Sequence, residues 1–214
     1  LADQIKEIAS AELETAPGDI ELVGGTARVV GTDRQVSLAQ VAVAAKDPDQ
    51  LTATGEVQQE EATYPNGTHV CEVEIDPDTG VVSLLGYTIV DDFGRVVNPL
   101  LLEGQVHGGV VQGIGQALFE HTVYDDAGQL VTASFQDYQM PRAADLPSID
   151  FQTRNVPSTW NVMGIKGAGE AGSIGSCPAV MNAVVDALNS NYNIRNIDMP
   201  ATPERVWNAI QAAS

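Results

Sequence analysis

Residues 69–90 read HVCEVEIDPDTGVVSLLGYTIV, and this stretch constrains the fold more than any other. Its first run alternates, with Cys71, Val73 and Ile75 on one face. "DPDTG" then supplies a turn, and "VVSLLGYTIV" returns. A period of two is the signature of a strand, and two such runs around a Gly- and Asp-bearing turn specify a long antiparallel hairpin.

The flanking segments sort around it. Ile5, Ile8 and Leu13 stand near helical spacing in residues 1–15, and Pro17-Gly18-Asp19 ends that helix. "IELVGGTARVV" reads as a second hairpin turning at Gly24-Gly25, Ser37 caps a short helix, and a strand is expected around 51–60. Beyond "DDFGRVVNP", the apolar stretch "LLLEGQVHGGVVQGIGQALFEHTVY" reads as a helix that carries Gly104, Gly108, Gly109, Gly113 and Gly115. Each interior glycine costs about 1 kcal/mol relative to alanine. Tight helix packing and close approach by a ligand both account for them. A strand near 130–134, a proline-bearing crossing and another strand lead to "GIKGAGEAG", residues 164–172. A helix capped at Ser176 follows, with Val180, Ala183, Val184, Ala187 and Leu188 on its apolar face, and a last helix starts at Thr202-Pro203. The fold class is α+β, with antiparallel strands and segregated helices. The 214 residues suffice for one large domain or two small ones, with a subdivision near 60–65.

Charge narrows the partners. Lys+Arg number 10 against 29 Asp+Glu, a net of −19, which argues against nucleic acid and anionic membrane. The same acidity, with few lysines, suits a high-salt cytoplasm. Cys71 and Cys177 form no CxxC pair and the three histidines no HExxH spacing, so no metal held by side chains is expected. No run of 18 apolar residues occurs, and the first residues are charged and amphipathic rather than a signal peptide, so a cytoplasmic location is expected. The absence of an initiator Met points to a processed protein, a split subunit or a fragment.

Within the glycine loop stand one acid, Glu170, and one base, Lys166. A carboxylate among glycines ahead of an apolar helix can lie in a water-poor pocket and act as a base; the plainer reading is a surface turn. Lys166 can pair with Glu170, hold an oxyanion or simply be solvated. Gln105 and Gln112 lie seven apart, on one helical face, as ligands of a polar group or as ordinary surface glutamines. "DDFGRVVNP" reads as an anion-binding loop or as a plain turn ending a strand.

Four stretches in order, "DDFGRVVNP", "EGQVHGGVVQGIGQALFE", "DYQMPRAADLP" and "GIKGAGEAGSIGSCPAVMNAVVDAL", resemble the C-terminal part of the molybdenum-binding large subunit of the xanthine dehydrogenase/aldehyde oxidase/carbon monoxide dehydrogenase family. "YPNGTHVCEVEIDPDTG" fits as well, so the resemblance covers nearly all of residues 1–214. It implies a molybdenum-dependent oxidoreductase acting on a small molecule, an aldehyde, an N-heterocycle or CO, with water as oxygen source. The glutamate of the family's "KGxGE" loop matches Glu170, which implies a general base taking a proton from hydroxyl or water at the metal. The resemblance further implies cofactor contacts at Gln105, Lys166 and Gly167. A loop of Asp91, Phe93, Gly94 and Asn98 would line the dinucleotide end of molybdopterin cytosine dinucleotide. FAD and [2Fe-2S] are implied on partner subunits or domains, and the rest of the large subunit on the same or a companion chain. Ala171 departs from the family's usual Pro or Ser after the glutamate, which affects loop stiffness but not the base. The competing readings are a non-catalytic fragment or structural subunit of such a complex, and a free-standing anion-binding module, disfavoured because no P-loop or strand–GxGxxG–helix pattern occurs.

Overall fold

The computed structural model describes residues 1–58 and 61–213. The chain divides into two compact units, residues 1–58 and 59–214.

In the first unit, α1 (Ala2–Leu13) ends where Glu14 turns left-handed, ahead of a single 3₁₀ turn at Pro17–Asp19. Strands β1 (Ile20–Val23) and β2 (Thr26–Val29) form the expected hairpin, with Gly24 and Gly25 both at positive φ in the turn. A short third strand, β3 (Gln35–Ser37), pairs antiparallel with β2. Ser37 then caps α2 (Leu38–Ala44) in a reciprocal capping box with Gln40. Ala9, Leu13, Ile20, Ala27, Val29 and Val41 make the core of this unit. The strand expected around 51–60 does not form among the described residues: Pro48–Leu51 is a 3₁₀ turn and 52–58 is irregular, while the last two positions of that range lie outside the described residues. Gly55 and the exposed side chains of 52–58 offer a sheet no apolar face.

The second unit is built on the long hairpin. Strands β4 (Asn66–Ile75) and β5 (Val82–Asp92) pair antiparallel. The register slips between Glu72 and Val73, where Leu85 is the extra residue on β5. Strand β6 (Ile149–Thr153) joins β5 in parallel, the one parallel pairing among the described strands. Helix α3 (Pro99–Ile114) runs on into a π-helical turn, Gly115–Phe119. Helices α4 (Ala171–Tyr192) and α5 (Pro203–Ala213) complete the unit. Tyr87 and Ile89 of β5, Val106, Val110 and Ile114 of α3, Val180, Val184 and Leu188 of α4, and Val206 and Ile210 of α5 share one core.

Two expectations fail in this unit. Residues 130–134 form no strand; a single bridge, Tyr124 to Leu130, spans the Asp125–Gly128 turn. Ser134 instead starts another turn, its carbonyl accepting from Asp137 and Tyr138. Nor does Ser176 cap a helix. The helix begins five residues earlier at Ala171, runs through Pro178, and buries Ser176 completely. The apolar face read from Val180 onward is correct, but the small residues before it are helical because they pack against α3.

Candidate functional site

The site grows from the seam between α3 and α4. A Cβ at Gly109 would stand 3.1 Å from the Cα of Gly172, and one at Gly172 would stand 2.7 Å from the Val110 nitrogen. A Cβ at Gly113 would collide with Ser176 Oγ and come within 3.0 Å of the Ser173 carbonyl. Three glycines and a serine therefore let two backbones touch, as tight helix packing requires. Gly104 and Gly108 differ: a Cβ on either meets nothing within 4 Å. They stand four apart on one exposed stripe of α3, continued by exposed Gln112.

Glu170 is the residue before α4, and its side chain makes no capping bond. It is exposed. Among the described residues its carboxylate has no hydrogen-bond or ion-pair partner. Gly167 and Gly169 before it are exposed too, neither has positive φ, and a Cβ on either meets nothing within 4 Å. So four glycines, at 104, 108, 167 and 169, are demanded neither by backbone conformation nor by neighbours. Two elements carrying them are joined directly, because Gln105 Nε2 donates to the Gly169 carbonyl at 2.8 Å. Small residues with nothing against them leave room for a flat group from outside the chain, with a free carboxylate at its edge.

The loop before Glu170 is fastened to the end of β5. Ile165 bridges Gly94, the Lys166 amide donates to the Phe93 carbonyl at 3.0 Å, and the Arg95 amide to the Gly164 carbonyl at 2.8 Å. Gly94 has φ +64° and a Cβ there would run into the Gly164 carbonyl, so only glycine fits. Lys166 does not turn to Glu170. Its Nζ donates to Asp92 Oδ2 at 2.6 Å. Asp92 Oδ1 accepts from the Gly94 and Val156 amides, each at 2.9 Å. Burial pushes the Asp92 carboxyl up, but the hydrogen bonds from Lys166, Val156 and Gly94 and the lysine charge outweigh it. The net shift is below the ordinary value.

Of the remaining sequence candidates, Phe93 and Asn98 are committed within the fold, while Asp91 is buried with its Oδ2 lacking a hydrogen-bond partner among the described residues. Asp91 is 3% exposed and faces the other way, its Oδ1 3.5 Å from His69 Nε2. His69 Nδ1 lies 2.9 Å from the Tyr87 hydroxyl. Burial above all, with the Asp91 charge contributing, raises the Tyr87 pKa, so the phenol stays protonated. The His69 ring lies flat beneath the first turns of α4, where a Cβ at Gly175 would stand 2.5 Å from it. Phe93 is buried, 6.2 Å from the Phe151 ring. Asn98 caps α3, its Oδ1 accepting from the Leu101 amide at 3.2 Å. The structure thus brings Gln105, Lys166, Gly167 and Glu170 to one loop and its seam, with Gly94 behind them, buries Asp91, and puts the Phe93 and Asn98 side chains to structural use. Sequence reasoning missed Asp92 and His69. Strand parity was the available signal: Tyr87, Ile89 and Asp91 share a face, so Asp92 had to point elsewhere.

Comparison with known proteins identifies the family. Residues 1–147 match the molybdopterin cofactor-binding domain family. The chain is 38% identical to the 6-hydroxypseudooxynicotine dehydrogenase complex subunit gamma of Paenarthrobacter nicotinovorans, over 99% of this chain and 28% of the relative. It is 33% identical to the carbon monoxide dehydrogenase large chain of Afipia carboxidovorans, over 94% of this chain and 26% of the relative. Among solved structures it resembles quinoline 2-oxidoreductase from Pseudomonas putida 86, with a TM-score of 0.82 and 35% identity over 98% of this chain and 28% of that one. The chain thus spans little more than a quarter of the length of these relatives. With a family match over residues 1–147 and relatives aligned over nearly its whole length, the chain belongs to the molybdopterin cofactor-binding domain family and corresponds to a portion of a molybdenum large subunit.

Proposed function

We propose that this chain is the base-bearing portion of a molybdenum-dependent oxidoreductase, with Glu170 as its general base. One observation carries the reading: the Glu170 carboxylate stands unpartnered at the start of α4, beside glycines that the chain itself has no need of. When bound, the molybdenum cofactor supplies the redox chemistry and acidifies the water that provides oxygen. Glu170 would be the side chain that accepts the proton from this water. Gly167 and Gly169 let the loop backbone lie close to the cofactor. Gln105, whose Nε2 is bound to Gly169, keeps its carbonyl oxygen for a cofactor donor. The backbone of the Asp91–Asn98 loop lines the dinucleotide end, since Asp91 is buried and the Phe93 and Asn98 side chains are committed within the fold. Lys166 serves by holding its loop.

The cofactor is proposed to be the cytosine dinucleotide form, with FAD and [2Fe-2S] on partner subunits and a cytoplasmic assembly. The relatives are named for CO, nicotine derivatives and quinoline, so the substrate class is a small N-heterocycle, an aldehyde or CO. No helix among the described residues is long and apolar enough to cross a membrane.

The test is to purify the chain with the rest of its complex, measure molybdenum, and replace Glu170 by Gln. General bases contribute about 10²–10⁴-fold, so turnover falls by that factor with molybdenum content unchanged. Turnover within twofold of the unmodified complex removes Glu170 from the role. A complex that binds no molybdenum and oxidises nothing supports a structural subunit instead.

A further inference from the structure

The Asp92–Lys166 pair is built beyond what a turn requires. The two side chains are 9% and 14% exposed, and the carboxylate collects donors from three separate segments: Lys166, Gly94 and Val156. Three donors fix the Asp92 rotamer, and through it the lysine. Lys166 stands only four residues before Glu170 in a loop with little side-chain bulk. A lysine free in that loop would be the nearest cation in sequence to the Glu170 carboxylate, which has no partner among the described residues.

We propose that Asp92 is a positioning residue of this site: it holds Lys166, and so keeps the lysine's charge off Glu170 while anchoring the loop to β5. The proposal rests on Glu170 being the reactive group. Other charged or titratable side chains on the segments packed around the loop include Glu61 and Tyr64, beside the Thr63 hydroxyl that accepts from the Gly167 amide, Asp91 and Arg95 at the end of β5, Glu103 and His107 on α3, His69 on β4, Cys177 on α4 and Arg154 after β6. Lys166 Nζ is received by Asp92, and His69 and Asp91 face each other. The pair is neutral as a unit and partly shielded from water, so a charge stripped of its partner there is poorly screened. Loss of the Asp92 charge leaves a cation that favours ionised Glu170; loss of the Lys166 charge leaves an anion that opposes it.

These effects have opposite signs, which a merely structural role does not produce. The experiment uses the assembled molybdenum complex without substrate. Carbodiimide labelling of Glu170 is followed against pH by peptide mass spectrometry, and the acid limb of kcat/KM is recorded in parallel. Asp92→Asn moves the labelling midpoint down by about half a unit, a roughly threefold change in the ionisation equilibrium, and Lys166→Met moves it up by a similar amount. The double variant returns it close to the original, as does Lys166→Arg, which keeps the pair. Midpoints that stay put, or that move the same way in both single variants, overturn the proposal. Either single variant decides alone should the other fail to assemble, by the sign of its shift. Labelling needs no turnover, so an active Glu170→Gln complex removes the base role while the midpoints still judge Asp92.

Discussion

At the scale of single residues, the site depends on which side chains are tied down and which are left free. Asp92 is tied by three donors and Glu170 by none, although both are acids near one loop. The Asp92 carboxyl titrates below its ordinary value of 3.8 in the folded chain. The unfolded chain therefore takes up this proton first as pH falls. The stability it contributes is complete above about pH 4 and is lost as pH drops through the folded-state value. Asp92→Asn is expected to lower the unfolding temperature at neutral pH yet flatten its decline below about pH 4, as thermal unfolding at a series of pH values can show. An unaltered acid dependence contradicts this reading. The sequence singles out Glu170 as a candidate because a lone acid among glycines is conspicuous. The partner of Lys166 did not stand out, since Asp92 lies 74 residues away and the two segments meet only in the fold, through the bridge from Gly94 to Ile165 and the backbone bonds beside it.

At the scale of elements, α3 carries glycines of two kinds, and composition could not tell them apart. The long hairpin, the capped α2 and the last helix were all readable from periodicity and caps. The start of α4 was not, because its first residues are small and polar and are helical only through contact with α3. The two kinds of glycine respond differently to substitution. Gly113→Ala drives a methyl group into Ser176 Oγ, and overpacking of this sort costs about 1–3 kcal/mol, measurable by denaturant unfolding. Gly108→Ala meets nothing and gains helix propensity, so the chain becomes more stable by about 0.5–1 kcal/mol. In the assembled complex the same methyl group projects from the open stripe, and molybdenum content after purification is expected to fall. A Gly108→Ala complex with full molybdenum content removes that stripe from the cofactor face.

At the scale of the whole molecule, two facts dominate: a net charge of −19 and a chain that spans about 28% of its relatives. Dense like charge opposes compaction and is relieved by salt. The unfolding temperature of the chain is expected to rise between about 0.05 and 1 M NaCl, where the Debye length falls from above 10 Å to about 3 Å, and a fall over that range contradicts the electrostatic account. Under the proposed function, parts of the relatives' length that this chain does not span would complete the pocket, which leaves the substrate open. The central claim is that Glu170 takes the proton in the chemical step. Anaerobic single-turnover mixing of the assembled complex with its substrate, following molybdenum reduction by absorbance, isolates that step from later electron transfer. For Glu170→Gln the account predicts a reduction rate lower by about 10²–10⁴-fold with molybdenum fully loaded; a rate equal to that of the unmodified complex contradicts it.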